Sequence, residues 1–223
     1  MDSQAPPRQS AASRRDLHIR VDLANFGVKS CDMTHLPLTD DLRQAVDTLR
    51  RGGIIIYPTD TIWGIGCDAT NPDAVARVYR LKQREDSKAL ITLVSDIAML
   101  ERYVADIPDV AYELLDVAVS PLTVIYDRGI NLAPNLFAAD GSVGIRIPAD
   151  DYASRLCSML RRPIVSTSAN ISGAPSPASF SQINPALLAA ADYVAYHRRS
   201  DTAPHRASSI IKLSADGQVK IIR

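Results

Sequence analysis

Apolar residues at Leu42, Ala45, Val46 and Leu49 recur at the spacing of one helical face, which predicts an amphipathic helix. Thr39 stands as its N-cap, Asp40 and Asp41 fall in a first turn that favours negative charge, and Gly52 offers the stop. The pattern then changes. Ile54-Ile55-Ile56-Tyr57 is a continuous apolar run, as expected of a strand buried on both faces. Asn71-Pro72-Asp73 opens a second helix in the N-cap and N1 arrangement, with Val75, Val78 and Tyr79 on one side. Leu90–Val94 is another buried strand, followed by short helices over 96–104 and 108–118 and strands near 122–126 and 142–147. A helix over 150–161, the strand Ile164–Ser166, a helix near 185–191 and a strand near 192–196 come next. Ser209–Leu213 and Val219–Ile222 close the chain, joined through Asp216-Gly217, a strong hairpin signal.

Such alternation predicts an α/β fold, one domain with a twisted sheet and flanking helices, the sheet made mixed by its C-terminal hairpin. No repeat of 20–50 residues is present. Residues 1–16 are rich in Ser, Pro, Gln and Arg and read as a flexible, solvated tail. Within 17–36, LHIRVDL alternates like a strand but has no visible partner. We therefore expect an N-terminal extension over 1–36 and a folded domain over 37–223.

Composition narrows the class. Of 223 residues, 46% are hydrophobic and 22% charged, enough for a sizeable core and too apolar for a disordered chain. The 25 basic and 25 acidic side chains cancel, which excludes a long, uniformly basic nucleic-acid binder. Attraction for phosphate then has to come from local clustering. No run of about 18 apolar residues and no apolar stretch near Met1 is present, so neither a membrane span nor a secretory leader is expected. Cys31, Cys67 and Cys157 are odd in number and far apart, and the four histidines show no HExxH spacing. No protein metal site is expected, and a reducing cytoplasm fits.

Four clusters carry candidate chemistry, each at or near a predicted strand end, where open α/β sheets bind ligands. Pro58-Thr59-Asp60-Thr61-Ile62-Trp63-Gly64-Ile65-Gly66 suits a small polar ligand, or a turn closed by threonine hydroxyls. Lys82-Gln83-Arg84 ends the second helix; in an extended segment both cations share a face. Residues 77–88 hold Arg77, Arg80, Lys82, Arg84 and Lys88 against Glu85 and Asp86, which reads as a solvated helix face or as a phosphate site. Ser166-Thr167-Ser168-Ala169-Asn170-Ile171-Ser172-Gly173 presents four hydroxyls and an amide to an anion. Last, Ser142–Arg146 pairs with Arg206-Ala207-Ser208-Ser209; Arg146 reads as a carboxylate clamp or as a surface ion pair. Neither GxxxxGK[ST] nor GxGxxG nor GxSxG occurs.

PTDTIWGIG, KQR, SVGIRIP and STSANISG, in that order and spacing, resemble the YrdC family of L-threonylcarbamoyladenylate synthases, with similarity over about Leu38 to Arg223. Against the family pattern, Trp63 stands for a Tyr, Thr92 for a His, and Val119-Ser120-Pro121-Leu122-Thr123 for PGPLT. The resemblance implies a single YrdC-like domain with an open, positively charged groove, in the short form without a second domain. It implies synthesis of threonylcarbamoyl-AMP and pyrophosphate from L-threonine, bicarbonate and ATP with Mg2+, for modification of adenosine 37 in tRNA. Lys82, Arg84, Ser168 and Asn170 would contact ATP phosphates and adenylate, with Ser142, Ser166 and Ser176 beside the nucleotide. Thr59, Arg146 and Ser208 would hold L-threonine. Lys82 and Arg84 would carry catalysis by offsetting the repulsion between anions. The implied partners are tRNA, reached directly or through others, and a separate threonylcarbamoyl-transferase complex. The competing expectation is an RNA-binding or ribosome-maturation protein of the same fold without synthase activity.

Overall fold

The computed structural model describes residues 36–83, 90–149, 151–201 and 207–223, all within the compact unit His35–Arg223. The tail and the strand-like segment expected within 1–35 lie outside the described residues.

Helix α1 spans Leu38–Arg50 and buries Leu42, Ala45, Val46 and Leu49, the expected face. It begins earlier than expected. The Pro37 carbonyl accepts from the Asp40 and Asp41 amides, so Thr39 lies inside the helix rather than capping it. Nor is Asp41 a surface complement to the dipole. It is fully buried, and its carboxylate accepts from the Tyr193 hydroxyl and from the Tyr196 and His197 amides, the last at 2.8 Å. One acid thereby pins α1 to a segment more than 150 positions away. Gly52, at φ +75°, turns the chain out of α1 as expected.

β1 (Ile55–Tyr57) is wholly buried, and the chain returns antiparallel as β2 (Gly64–Gly66), with Tyr57 opposite Gly64 and Ile55 opposite Gly66. The sequence pattern leaves β2 inside a loop, because Gly-Ile-Gly shows no alternation. Packing explains its glycines: a Cβ on Gly66 would lie 2.4 Å from the Val165 carbonyl oxygen. α2 (Pro72–Lys82) is capped as expected, the Asn71 side chain accepting from Asp73 and Ala74 amides at 3.0 and 3.1 Å. Gln83, in the left-handed region at φ 49°, ends it.

Then follow β3 (Ile91–Leu93), α3 (Ile97–Leu100), α4 (Asp109–Val117), β4 (Leu122–Tyr126), β5 (Val143–Arg146), α5 (Asp151–Leu160) and β6 (Ile164–Ser168). α6 (Pro185–Ala190), β7 (Tyr193–Val194), β8 (Ser209–Leu213) and β9 (Val219–Ile221) complete the order. The strands form one sheet, β7-β1-β2-β6-β3-β5-β4-β8-β9. β1/β7, β3/β5 and β4/β8 pair parallel. The expected C-terminal hairpin is present as β8/β9, but β1/β2, β2/β6, β3/β6 and β4/β5 are antiparallel too. The mixed character therefore runs through the whole sheet. α1 packs on α5, α1 on β1 and β7, and α5 on β3.

Register fixes the face on which chemistry can sit. Ile91 is opposite Ser166 on one side and Gly144 on the other, and Leu93 is opposite Arg146. Since side chains alternate with period two, Ser166, Ser168, Ile91, Gly144 and Arg146 share a face. Thr92 belongs to the other face and is fully buried.

Asp41→Ala leaves three donors unmet in the interior and should lower unfolding free energy by roughly 3 kcal/mol. Urea denaturation read by circular dichroism checks this.

Candidate active site

The chain leaving β1 is shaped by two hydroxyls. Thr59 Oγ1 accepts from the Thr61 and Ile62 amides at 3.1 and 3.2 Å and donates to the Ile62 carbonyl at 2.7 Å. It also lies 2.9 Å from Thr61 Oγ1. Because the Thr59 proton is committed to Ile62, Thr61 is the donor of that pair. Thr61 in turn accepts from Arg146 Nη1 at 3.1 Å. The result is a directed chain of hydrogen bonds from the Arg146 guanidinium through Thr61 and Thr59 to the Ile62 carbonyl.

Arg146, at the end of β5, is buried, which sets aside the surface-pair reading. Its Nη1 also sits 3.2 Å from Asp60 Oδ1; the two side chains are 5% and 9% exposed. That oxygen makes no hydrogen bond, so the contact is Coulombic, and Arg146 Nε is likewise buried without one. Asp60 Oδ2 accepts from the Ala149 amide at 3.1 Å.

β6 runs two residues beyond the expected Ser166. Gly64 faces Ser168 across the β2/β6 pair, which brings both serines onto the same face as Arg146. Beyond the strand, Lys82 reaches across from the end of α2. It is 1% exposed, and its Nζ donates to the Ser168 carbonyl at 2.5 Å, the Asn170 carbonyl at 2.8 Å and Asn170 Oδ1 at 3.2 Å. Ser172 N returns a bond to the Lys82 carbonyl at 2.9 Å, and Ser168 Oγ bonds Asn170 Oδ1. The lysine thus ties two of the segments singled out in the sequence to each other.

A cleft of about 260 Å³ opens over these groups. Thr59, Arg146, Ser166, Ser168, Ser176 and Ser208, six of the candidate residues, line it. Ser208 Oγ lies 2.8 Å from Thr123 Oγ1, and its carbonyl accepts from Arg223 Nη2 at 2.9 Å. Asn170 and Ser176 border an adjoining groove of about 550 Å³. Ser142 is not brought to the cleft: its amide and hydroxyl bond Asp140 at 3.0 and 2.6 Å, closing the turn before β5. Those bonds, with that from Lys212, hold the Asp140 carboxyl well below the usual range. Arg84 and Arg206 lie outside the described residues. Trp63 does not line this cleft; its indole is buried against Phe180, ring centres 5.0 Å apart. Thr92, at the family's His position, lines no part of the cleft.

The first cluster already held Thr61, which lines the cleft, and Asp60 behind it, though neither was given a role; the cleft residue Arg223 was missed. Two threonines flanking an acid at a strand exit are the signal that marks Thr61 and Asp60; Arg223 carries none.

Nothing in the described cleft is an activated nucleophile or base. Cys67 and Cys157 are buried, and burial pushes the Cys67 thiol up, away from thiolate. His197 stacks on Tyr152, and burial with the neighbouring Arg198 pushes its pKa down. Among the described residues no group of three His, Cys, Asp or Glu is placed to hold a metal, and no helix is long and apolar enough to cross a membrane.

A family model described as Sua5/YciO/YrdC, telomere recombination, matches residues 47–223. The chain belongs to this family. A threonylcarbamoyl-AMP synthase from Xanthomonas campestris is 38% identical over 164 residues, 71% of this chain and 87% of that protein. A crystal structure of P. abyssi Sua5 complexed with L-threonine superposes with TM-score 0.72 at 26% identity, over 82% of this chain. The chain spans about half of that protein's length, 53%. E. coli YciO, at 24% identity and TM-score 0.69, shares the fold.

Lys82→Met keeps the aliphatic stem but strands three acceptors. We expect a loss of about 2–3 kcal/mol in urea unfolding and faster amide exchange in residues 168–176.

Proposed function

We infer that this Sua5/YciO/YrdC chain is an L-threonylcarbamoyladenylate synthase, converting L-threonine, bicarbonate and ATP to threonylcarbamoyl-AMP and pyrophosphate for tRNA modification. The observation that carries the reading is the meeting, in one cleft, of Thr59, Arg146, Ser166, Ser168, Ser176 and Ser208 from five separate stretches of chain. The similarity to a threonylcarbamoyl-AMP synthase over most of both chains supports the same reading.

In this proposal the unprotonated threonine amine adds to carbon dioxide and gives up a proton to water, or condenses with bicarbonate and releases water, giving N-carboxythreonine. The new carboxylate attacks the α-phosphorus of ATP, and the bond to pyrophosphate breaks. Two anions have to meet, so the requirement is fixed positive charge, positioning and exclusion of water rather than a base. Arg146 would face the threonine carboxylate, with Thr59 and Ser208 framing the rest of that substrate. Thr59 would act through the turn it closes, its hydroxyl proton already being committed to Ile62. Ser166, Ser168, Asn170 and Ser176 would take the nucleotide. Lys82 and Arg84 would offset phosphate charge, Lys82 from its place under the Ser168–Asn170 loop. We also keep Ser142 as a nucleotide neighbour, reached only if the turn before β5 opens. ATP would arrive as its magnesium complex, the ion held by phosphates and water and supplying further charge neutralisation. We take 37–223 as the synthase domain and 1–36 as an extension, acting in the cytoplasm beside a separate transferase complex that delivers the product to tRNA.

Conversion of ATP to AMP and pyrophosphate should require both L-threonine and bicarbonate; RNA binding without that turnover overturns the reading. Arg84→Ala should cut turnover at least about a hundredfold while leaving the melting temperature unchanged. Arg146→Lys keeps a cation beside Asp60 but loses the planar fork, so the KM for threonine should rise roughly tenfold while that for ATP stays within about twofold. Steady-state kinetics with each substrate varied separately check both.

A further inference from the structure

The buried acid behind Arg146 has no part in the proposed reaction, and its placement is unusual. Asp60 is held from one side by the Ala149 amide and presents its other oxygen, without a hydrogen bond, 3.2 Å from Arg146 Nη1. The same Nη1 donates to Thr61, so this corner of the guanidinium is fully engaged from behind. Nε is a buried donor with no acceptor among the described residues. A buried donor of this kind is costly until a ligand oxygen satisfies it.

We propose that Asp60 is a positioning and specificity-determining residue: it fixes Arg146 in the orientation that receives an amino-acid carboxylate and cancels its charge, so that this end of the cleft rejects phosphate. The inference rests on the synthase reading and adds a selectivity to it. A cleft that takes both an amino acid and a nucleoside triphosphate has two kinds of anion to sort. An unpaired buried arginine is a strong phosphate site, because its fork matches phosphate as well as carboxylate. Paired with Asp60 in a poorly screened pocket, Arg146 keeps its directional donors but contributes almost no net charge. A singly charged carboxylate held by the aimed donors tolerates this; a multiply charged phosphate is repelled by the acid a few ångströms behind. Arg223 also borders the cleft, but it is exposed and donates to the Ser208 carbonyl, so water screens its charge.

The test is calorimetric binding of L-threonine, alone and in the presence of inorganic phosphate, to the full chain and to Asp60→Asn and Asp60→Glu. Wild type should bind threonine without competition from phosphate. Asp60→Asn should bind threonine about tenfold more weakly and bind phosphate in competition with it, whereas Asp60→Glu, which restores the charge, should regain phosphate exclusion. In kinetics the Asp60→Asn defect should appear in KM for threonine and as phosphate inhibition, with kcat at saturating substrate largely kept. A residue that served only packing would affect Asn and Glu variants alike and create no phosphate site. Unchanged threonine affinity in Asp60→Asn, or equal phosphate exclusion in all three proteins, overturns the proposal. So does competition by phosphate in wild type, which decides the matter even if a variant fails to fold. Absence of any threonine binding to wild type overturns the synthase reading and this inference with it, whereas failure of the variants alone leaves the synthase reading standing.

Discussion

A cation withdrawn from water has to be met by acceptors, and the cleft is organised around two cations that satisfy this condition in different ways. Lys82 spends its amine on the backbone of a loop, so the end of α2 and the exit of β6 become one unit. Arg146 is met by a carboxylate and a hydroxyl on one corner, with Nε left unmet. The end of α2 supplies the amine, the end of β6 and the residues after it supply the Ser168 and Asn170 carbonyls, and the turn at Thr59 carries the Thr61 hydroxyl and Asp60 to Arg146. Buried charges of this kind contribute little net stability, so their presence is better explained by what they hold in place.

Much of this was legible in the chain because local rules and burial agreed. Asn71-Pro72, the IIIY run and Asp216-Gly217 each specify their element without help from elsewhere, and each is found where it was expected. What escaped were features whose cause is distant in sequence. Asp41 reads as a helix-dipole acid until Tyr193, Tyr196 and His197 are seen to converge on it. β2 is invisible as a pattern because Gly66 answers to the Val165 backbone rather than to alternation. At the site, the two readings of the Thr59 segment proved compatible: it is a hydroxyl-closed turn, and that turn borders the cleft. Ser142 marks the opposite case, a residue picked from a motif and found occupied with Asp140.

Net neutrality also acquires a location. From Asp96 to Asp116 the chain carries Asp96, Glu101, Asp106, Asp109, Glu113 and Asp116 against Arg102 alone, and none of them borders the cleft. Cations are concentrated instead over residues 77–88, at and just beyond the end of α2. The zero total of the whole chain therefore conceals opposite local charges, −5 over residues 96–116 and +3 over residues 77–88. It says little about how either region behaves, and it is consistent with a protein that grips a small anion rather than the backbone of a long nucleic acid.

The hydrogen-bond chain from Arg146 to Ile62 has a polarity: each hydroxyl takes a proton from the arginine side and passes its own toward the carbonyl. Reversing that order would require a guanidinium lone pair, which arginine does not offer at any pH a protein survives. The chain is thus a fixed dipole rather than a proton wire. For a reaction that begins with a free amine, the pH dependence then belongs to the substrate. Turnover would follow the fraction of threonine whose amine is unprotonated.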